Sequence, residues 1–137
     1  MSIRCTTVSY SYGGTGKALD RVSFTLETGS TLLVVGHNGA GKSTLLRLLN
    51  ALLRPSEGTI EVDGRDTSLT PTAELARSVC VTFQHPEDQI FSSTVLHEVV
   101  FGPASLRRPN PESLARRALA LLGLEQLSDR HPYDLQP

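Results

Sequence analysis

Two stretches near the N-terminus alternate apolar and polar residues, Ile3 to Tyr10 and Val22 to Glu27. Each is predicted as a half-exposed strand, and the two are joined through Gly13-Gly14-Thr15-Gly16. Thr31-Leu32-Leu33-Val34-Val35 does not alternate. A short continuous apolar run of this kind predicts a strand buried on both faces. A glycine-studded turn follows, and then a helix over Lys42 to Leu53 that stops before Arg54-Pro55. Gly58 to Val62 reads as a further strand running into the turn pair Asp63-Gly64. Pro71 to Ser78 is predicted as a short helix with proline in its first turn, and the β-branched run Val79 to Phe83 as another strand. The remainder reads as mostly helical. Asn110-Pro111 supplies a cap and a first-turn proline, Leu114, Ala118, Leu121 and Leu122 fall on one face, and Gly123 ends the element. Interleaved strands and helices predict an α/β fold with a β-rich N-terminal part.

Composition narrows the classes of function. The 137 residues are the size of one domain. A net charge of −1 leaves no electrostatic footprint for nucleic acid, so no nucleic-acid partner is expected. Cys5 and Cys80 lie far apart in strand-like contexts and are read as buried free thiols, which suits a reducing compartment. No apolar run approaches the ~20 residues that span a bilayer, and no cleavable apolar segment follows Met1. A soluble, cytosolic chain is expected.

The strongest chemical signal follows the apolar run directly. Gly36-His37-Asn38-Gly39-Ala40-Gly41-Lys42-Ser43-Thr44 matches G-x-x-x-x-G-K-[ST], with a predicted strand before it and a predicted helix after it. The glycines let the backbone come close to a ligand, and successive N–H groups then converge on phosphate oxygens at a helix N-terminus. Lys42 is placed to reach β- and γ-phosphates, and the Ser43 hydroxyl to ligate Mg²⁺. Thr44 is expected to touch the α-phosphate. Gly16-Lys17 has no leading glycine and is read as an ordinary loop.

The flanks of this loop resemble an ABC-type ATPase. Ala18-Leu19-Asp20-Arg21-Val22-Ser23-Phe24 looks like the family's opening, and Pro55-Ser56-Glu57-Gly58-Thr59-Ile60 with Val62-Asp63-Gly64 like its continuation after the first helix. The resemblance implies a P-loop NTPase fold of ABC ATPase type, in which N-terminal antiparallel strands join part of a parallel α/β core. It also implies an aromatic stacked on adenine, with Tyr12 the best match and Tyr10 second, and a glutamine loop at Gln84. There the amide oxygen would complete a Mg²⁺ shell and contact the attacking water. Phe83-Gln84-His85-Pro86-Glu87-Asp88-Gln89-Ile90-Phe91, with Thr94-Val95 and Val99-Val100-Phe101-Gly102-Pro103, is similar to ATPases of energy-coupling-factor importers of cobalt, nickel and vitamins. His85 in place of the usual Asn, and Leu96-His97 where acidic residues are common, depart from that pattern.

The resemblance runs the whole chain but only about half of the family's ATPase domain, so residues 1–137 read as its N-terminal part. His131-Pro132-Tyr133-Asp134-Leu135 resembles the approach to a Leu-Ser-Gly-Gly-Gln signature, and Gln136-Pro137 departs from it. The signature glycines, the Mg²⁺ aspartate, the water-polarising glutamate and the switch histidine are all missing, and no residue here is assigned a catalytic role. Without the strand that carries that aspartate, one edge of Leu32–Val35 is expected to lie open. What the resemblance implies is an ATP- and Mg²⁺-binding subunit, peripheral on the inner face of the cell membrane. It would pair with a second ABC ATPase subunit and touch a transmembrane component through Gln84–Phe91. Alone, the chain is expected to bind ATP without hydrolysing it. The alternatives are a non-hydrolysing nucleotide-binding remnant and a soluble ABC ATPase outside transport.

Overall fold

In the computed structural model, residues 1–14, 16–82 and 85–135 are described. They form two compact units, Met1–Val81 and Thr82–Pro137.

The first unit is built on a four-stranded antiparallel sheet of order β2-β1-β3-β4. Its strands are β1 (Ile3–Tyr10), β2 (Leu19–Leu26), β3 (Glu57–Val62) and β4 (Arg65–Asp66). β1 lies between β2 and β3, pairing Ile3 with Leu26 on one side and with Val62 on the other. The expected alternation breaks at a bulge, where Thr7 takes a φ of 46°. The extra residue lets Cys5 and Val8, three positions apart, both turn inward. Serine hydroxyls satisfy the backbone there: Thr7 N–H donates to Ser23 Oγ at 2.8 Å, and Arg21 N–H to Ser9 Oγ at 3.1 Å. Gly58 approaches the bulge so closely that a Cβ would strike the carbonyl oxygens of Thr6 and Thr7, which makes glycine obligatory there. Asp63 and Gly64 both hold positive φ, 49° and 76°, the conformation a two-residue hairpin between β3 and β4 needs.

α1 (Lys42–Leu49) contributes Leu45 and Leu48 to a core shared with Val8, Ile60 and Val62. It ends four residues earlier than predicted, with Asn50 as its C-cap. The Arg54 guanidinium then ties the following turn down by donating to the carbonyl oxygens of Thr67 and Thr70. The helix predicted over Pro71 to Ser78 is a single turn, α2 (Thr72–Leu75), which buries Leu75.

Two predicted strands are not formed among the described residues. Residues 31–35 are irregular and exposed, with Leu33 at 80% and Val35 at 78% of full exposure. Residues 79–82 carry no strand either, although Val79 packs against the first core. A strand draws its hydrogen bonds from its neighbours, and no described strand pairs with either run. Only the antiparallel part of the predicted architecture is therefore present among the described residues. Cys5 is buried as expected, and burial pushes its thiol up to about 11. Cys80 is exposed, contrary to the expectation, because the strand meant to bury it is not there.

The second unit holds α3 (Val95–Ser105) and α4 (Pro111–Leu121), packed over Val95, Leu96, Ala115 and Leu119. The buried stripe of α4 is Ala115 and Leu119, with Ala118 half-buried. Leu114, Leu121 and Leu122, assigned to the packed face from sequence, are exposed. The face toward α3 is rotated by about one residue, some 100° on a helix. No helix among the described residues is long and apolar enough to cross a membrane.

Candidate functional site

The phosphate loop runs from Gly36 into the first turn of α1, and its conformation follows from its glycines. Gly39 and Gly41 hold φ of 85° and 87°, and Gly41 is the N-cap of α1. A side chain at Gly41 would be strained by that φ and would drive its Cβ into the Ala18 carbonyl and the Leu19 side chain. The helix begins with Leu45 N–H donating to Gly41 O at 2.9 Å. Before that bond, among the described residues, the N–H groups of Lys42, Ser43 and Thr44 have no hydrogen-bond partner. No side chain caps this end, and its first turn carries no acidic residue. The N-terminus of α3 shows the contrast. In α3 the Thr94 hydroxyl accepts from His97 N–H, while Val95 and Leu96 N–H donate to the carbonyls of Arg130 and Ser128. One helix start is closed by its own chain; the start of α1 is left open to an anion.

Lys42 lies back over the loop, with Nζ donating to Gly36 O and His37 O, both at 2.8 Å. His37 Nδ1 donates to Asn38 O at 2.7 Å, and Ala40 N–H to His37 O at 3.2 Å, which closes the turn. Residues 36–40 are all exposed, as is Ser43. Tyr12 stands beside the loop, its hydroxyl 3.1 Å from Thr44 Oγ1. Its ring packs against Tyr10 with centroids 4.9 Å apart and planes at 87°. The structure thus brings Tyr12 and Gly36 to Thr44 together. Gln84 and Phe83 lie outside the described residues.

A cavity of about 480 Å³ borders the same helix. Phe24, Leu26, Leu32, Val34, Leu45 and Leu46 line most of it, with Lys42 and Ser43 the polar exceptions. Its lining suits aliphatic side chains, whereas the unpartnered amides of α1 suit phosphate.

In the second unit, a 3-10 turn at Pro86–Gln89 leads to Phe91. Phe91 and Phe101 form an edge-to-face pair, centroids 4.7 Å apart, and both residues are more than half exposed. Two contacts that the sequence reading missed hold this segment. The Glu98 carboxylate accepts from Phe91 N–H at 3.2 Å and Ser92 N–H at 2.8 Å. Burial acts to raise the Glu98 carboxyl, but these hydrogen bonds outweigh it and hold it below the usual carboxylate value. The Tyr133 hydroxyl lies within donating distance of Glu87 O (3.0 Å) and Ile90 O (3.2 Å). A legible signal existed for Glu98: a Thr N-cap followed by an acidic residue in the first turn marks a helix start at Val95.

With this geometry in view, the likenesses to known proteins are specific. The chain is 40% identical to the energy-coupling factor transporter ATP-binding protein EcfA2 of Streptococcus sanguinis, covering 98% of this chain and 52% of that protein. It is likewise 40% identical to EcfA of Methanoculleus marisnigri, over 93% of this chain and 47% of that one. Among solved structures, cbiO1 of Clostridium perfringens, described as part of the ABC transporter complex cbiONQ, superposes with a TM-score of 0.81 at 31% identity. That match covers 98% of this chain and 55% of the other. The chain therefore spans about half the length of the curated relatives it matches. The ABC transporter family model matches residues 19–136, a span that takes in the whole open phosphate loop and the Pro86–Phe91 segment, and the chain belongs to the ABC transporter family.

Proposed function

We propose that this chain is the ATP-binding part of an ATPase subunit of an energy-coupling-factor-type importer, peripheral on the cytoplasmic face of the membrane. The observation that carries the reading is the open start of α1, where three unpartnered N–H groups and Lys42 face a loop free of acidic side chains. The β- and γ-phosphates of ATP are assigned to these amides. Lys42 would exchange its two neutral carbonyl partners for charged phosphate oxygens, a trade that charge-assisted hydrogen bonding favours. Tyr12 supplies an aromatic face for the adenine. Ser43, an exposed residue, and Gln84 are the residues that would hold Mg²⁺. One hydroxyl and one amide oxygen fit an ion that keeps several waters and takes its remaining ligands from phosphate. When bound, that ion neutralises phosphate charge.

Binding without turnover is the reading for the chain alone. Partners follow from the relatives, which are named as ATP-binding proteins of energy-coupling factor transporters. We assign to this chain a second ABC ATPase subunit and a transmembrane component that meets the region Gln84–Phe91. The exposed Phe91–Phe101 pair supports that assignment by offering apolar surface to such a component.

Isothermal titration with Mg-ATP tests the reading. A saturable heat is expected for the chain and none for Lys42→Ala, with unchanged circular dichroism and no phosphate release by either. A folded chain that gives no heat, or a Lys42→Ala variant that binds equally well, would refute it.

A further inference from the structure

Among the described residues, the one side-chain link between the two ends of the candidate site is the contact of Tyr12 with Thr44. We propose that the Tyr12 hydroxyl positions the Thr44 hydroxyl toward a phosphate oxygen, so that base platform and phosphate cradle act as one unit; this rests on the nucleotide-binding reading of the loop.

The residues are 32 positions apart and 3.1 Å from oxygen to oxygen. Thr44 is 6% exposed and sits in the first turn of α1, beside the unpartnered amides. A threonine in a helix commonly turns its hydroxyl back to a carbonyl of the preceding turn. Thr44 makes no such bond, and Tyr12 is its one side-chain partner among the described residues. Either oxygen could donate, but the two are not equivalent. A phenol is the more acidic group, with a pKa near 10, and is therefore the stronger donor. With Tyr12 donating, the Thr44 oxygen serves as acceptor and its own proton remains free for an anion. A chain of this kind, phenol to hydroxyl to phosphate, polarises each member in the same sense.

Tyr12 is itself held in place. The Tyr10 ring meets it at 87°, which restricts its swing while leaving it 56% exposed. A restrained, half-exposed ring with its hydroxyl committed to the phosphate loop has a geometry that a stacking residue alone would not require.

The experiment is calorimetric titration of the 137-residue chain with three probes in Mg²⁺ buffer: ATP, adenosine and tripolyphosphate. Tyr12→Phe keeps the ring and removes only the hydroxyl. It should weaken ATP and tripolyphosphate by about three- to tenfold, the effect of one hydrogen bond, and leave adenosine unchanged. Thr44→Val should show the same loss, the double variant should lose no more than Thr44→Val alone, and Thr44→Ser should restore binding. A contact that merely braces the fold would shift all three probes together. The proposal is overturned if Tyr12→Phe leaves tripolyphosphate affinity at the wild-type value, or if the two losses simply add. If Lys42→Ala still abolishes ATP binding in that case, the nucleotide-binding reading stands and only the Tyr12–Thr44 unit falls. If the unmodified chain binds neither ATP nor tripolyphosphate, both fall.

Discussion

Leu33 separates two accounts of the same five residues. As a strand buried on both faces, Thr31–Val35 would make Leu33 a core residue. Exchange for threonine would then cost at least the ~2 kcal/mol of a large-to-small core change, with a buried hydroxyl to satisfy as well. In the structure Leu33 is 80% exposed, so only about a fifth of its surface is covered. Full burial of a leucine contributes about 1.5–3 kcal/mol, and Leu33→Thr should therefore cost roughly 0.3–0.6 kcal/mol. Leu48, fully buried between α1 and the sheet, is the reference, and Leu48→Ala should cost about 2–5 kcal/mol. Hydrogen exchange of the β1 and β3 amides reads both on one scale, because these strands open with the core of the first unit. Protection should be nearly unchanged by Leu33→Thr and fall steeply with Leu48→Ala. Should Leu33→Thr lower the opening free energy by more than about 1.5 kcal/mol, the run is packed in solution and the account of an unpartnered strand is wrong.

The remaining expectations concern single groups. A thiol reagent at neutral pH should label Cys80 promptly and Cys5 only on unfolding, as mass spectrometry of the labelled peptides would show. Because burial raises the Cys5 thiol from 9.0 to about 11, its contribution is intact below pH 9 and is lost as pH rises toward 11. A thermal midpoint of the first unit that ignored this window would count against that burial. In the second unit, Glu98→Ala should free the Phe91 and Ser92 amides at a cost of about 1 kcal/mol, seen as faster exchange at those two positions. Since the Glu98 carboxyl is lowered, the same clamp is present above its ordinary value of 4.5 and is lost as pH falls through the depressed one. Exchange at Ser92 that stayed equally slow in acid would show that something else holds the segment.

What could be read in advance divides along the range of the interactions. β1 was legible because it carries its own alternation, and β3 because it runs into the Asp63-Gly64 turn that leads to β4, all within a few residues. The 31–35 and 79–83 runs carry an equally clear β-pattern, but a pattern of apolar residues states only what would be buried if a neighbour came. It does not supply the neighbour. The error on α4 is of the same kind at smaller scale. Leucine at 114, 121 and 122 outweighs Ala115 in apolar surface, yet the close approach of α3 selects the small side chain at 115.

The phosphate loop escapes this limit for a physical reason. Its shape depends on glycines at Gly39 and Gly41, on the turn closed by Ala40 and His37, and on the first bond of α1, and all of these lie within ten residues. Its N-terminal strand can therefore be missing while the loop keeps its open amides, because α1 is held from its other side by Leu45 and Leu48 in the core. Local backbone geometry thus makes the anion site, whereas the aromatic partner reaches it across 32 residues. Tyr12 could be nominated from a resemblance, but its bond to Thr44 could only be found once β1 had set the two side by side.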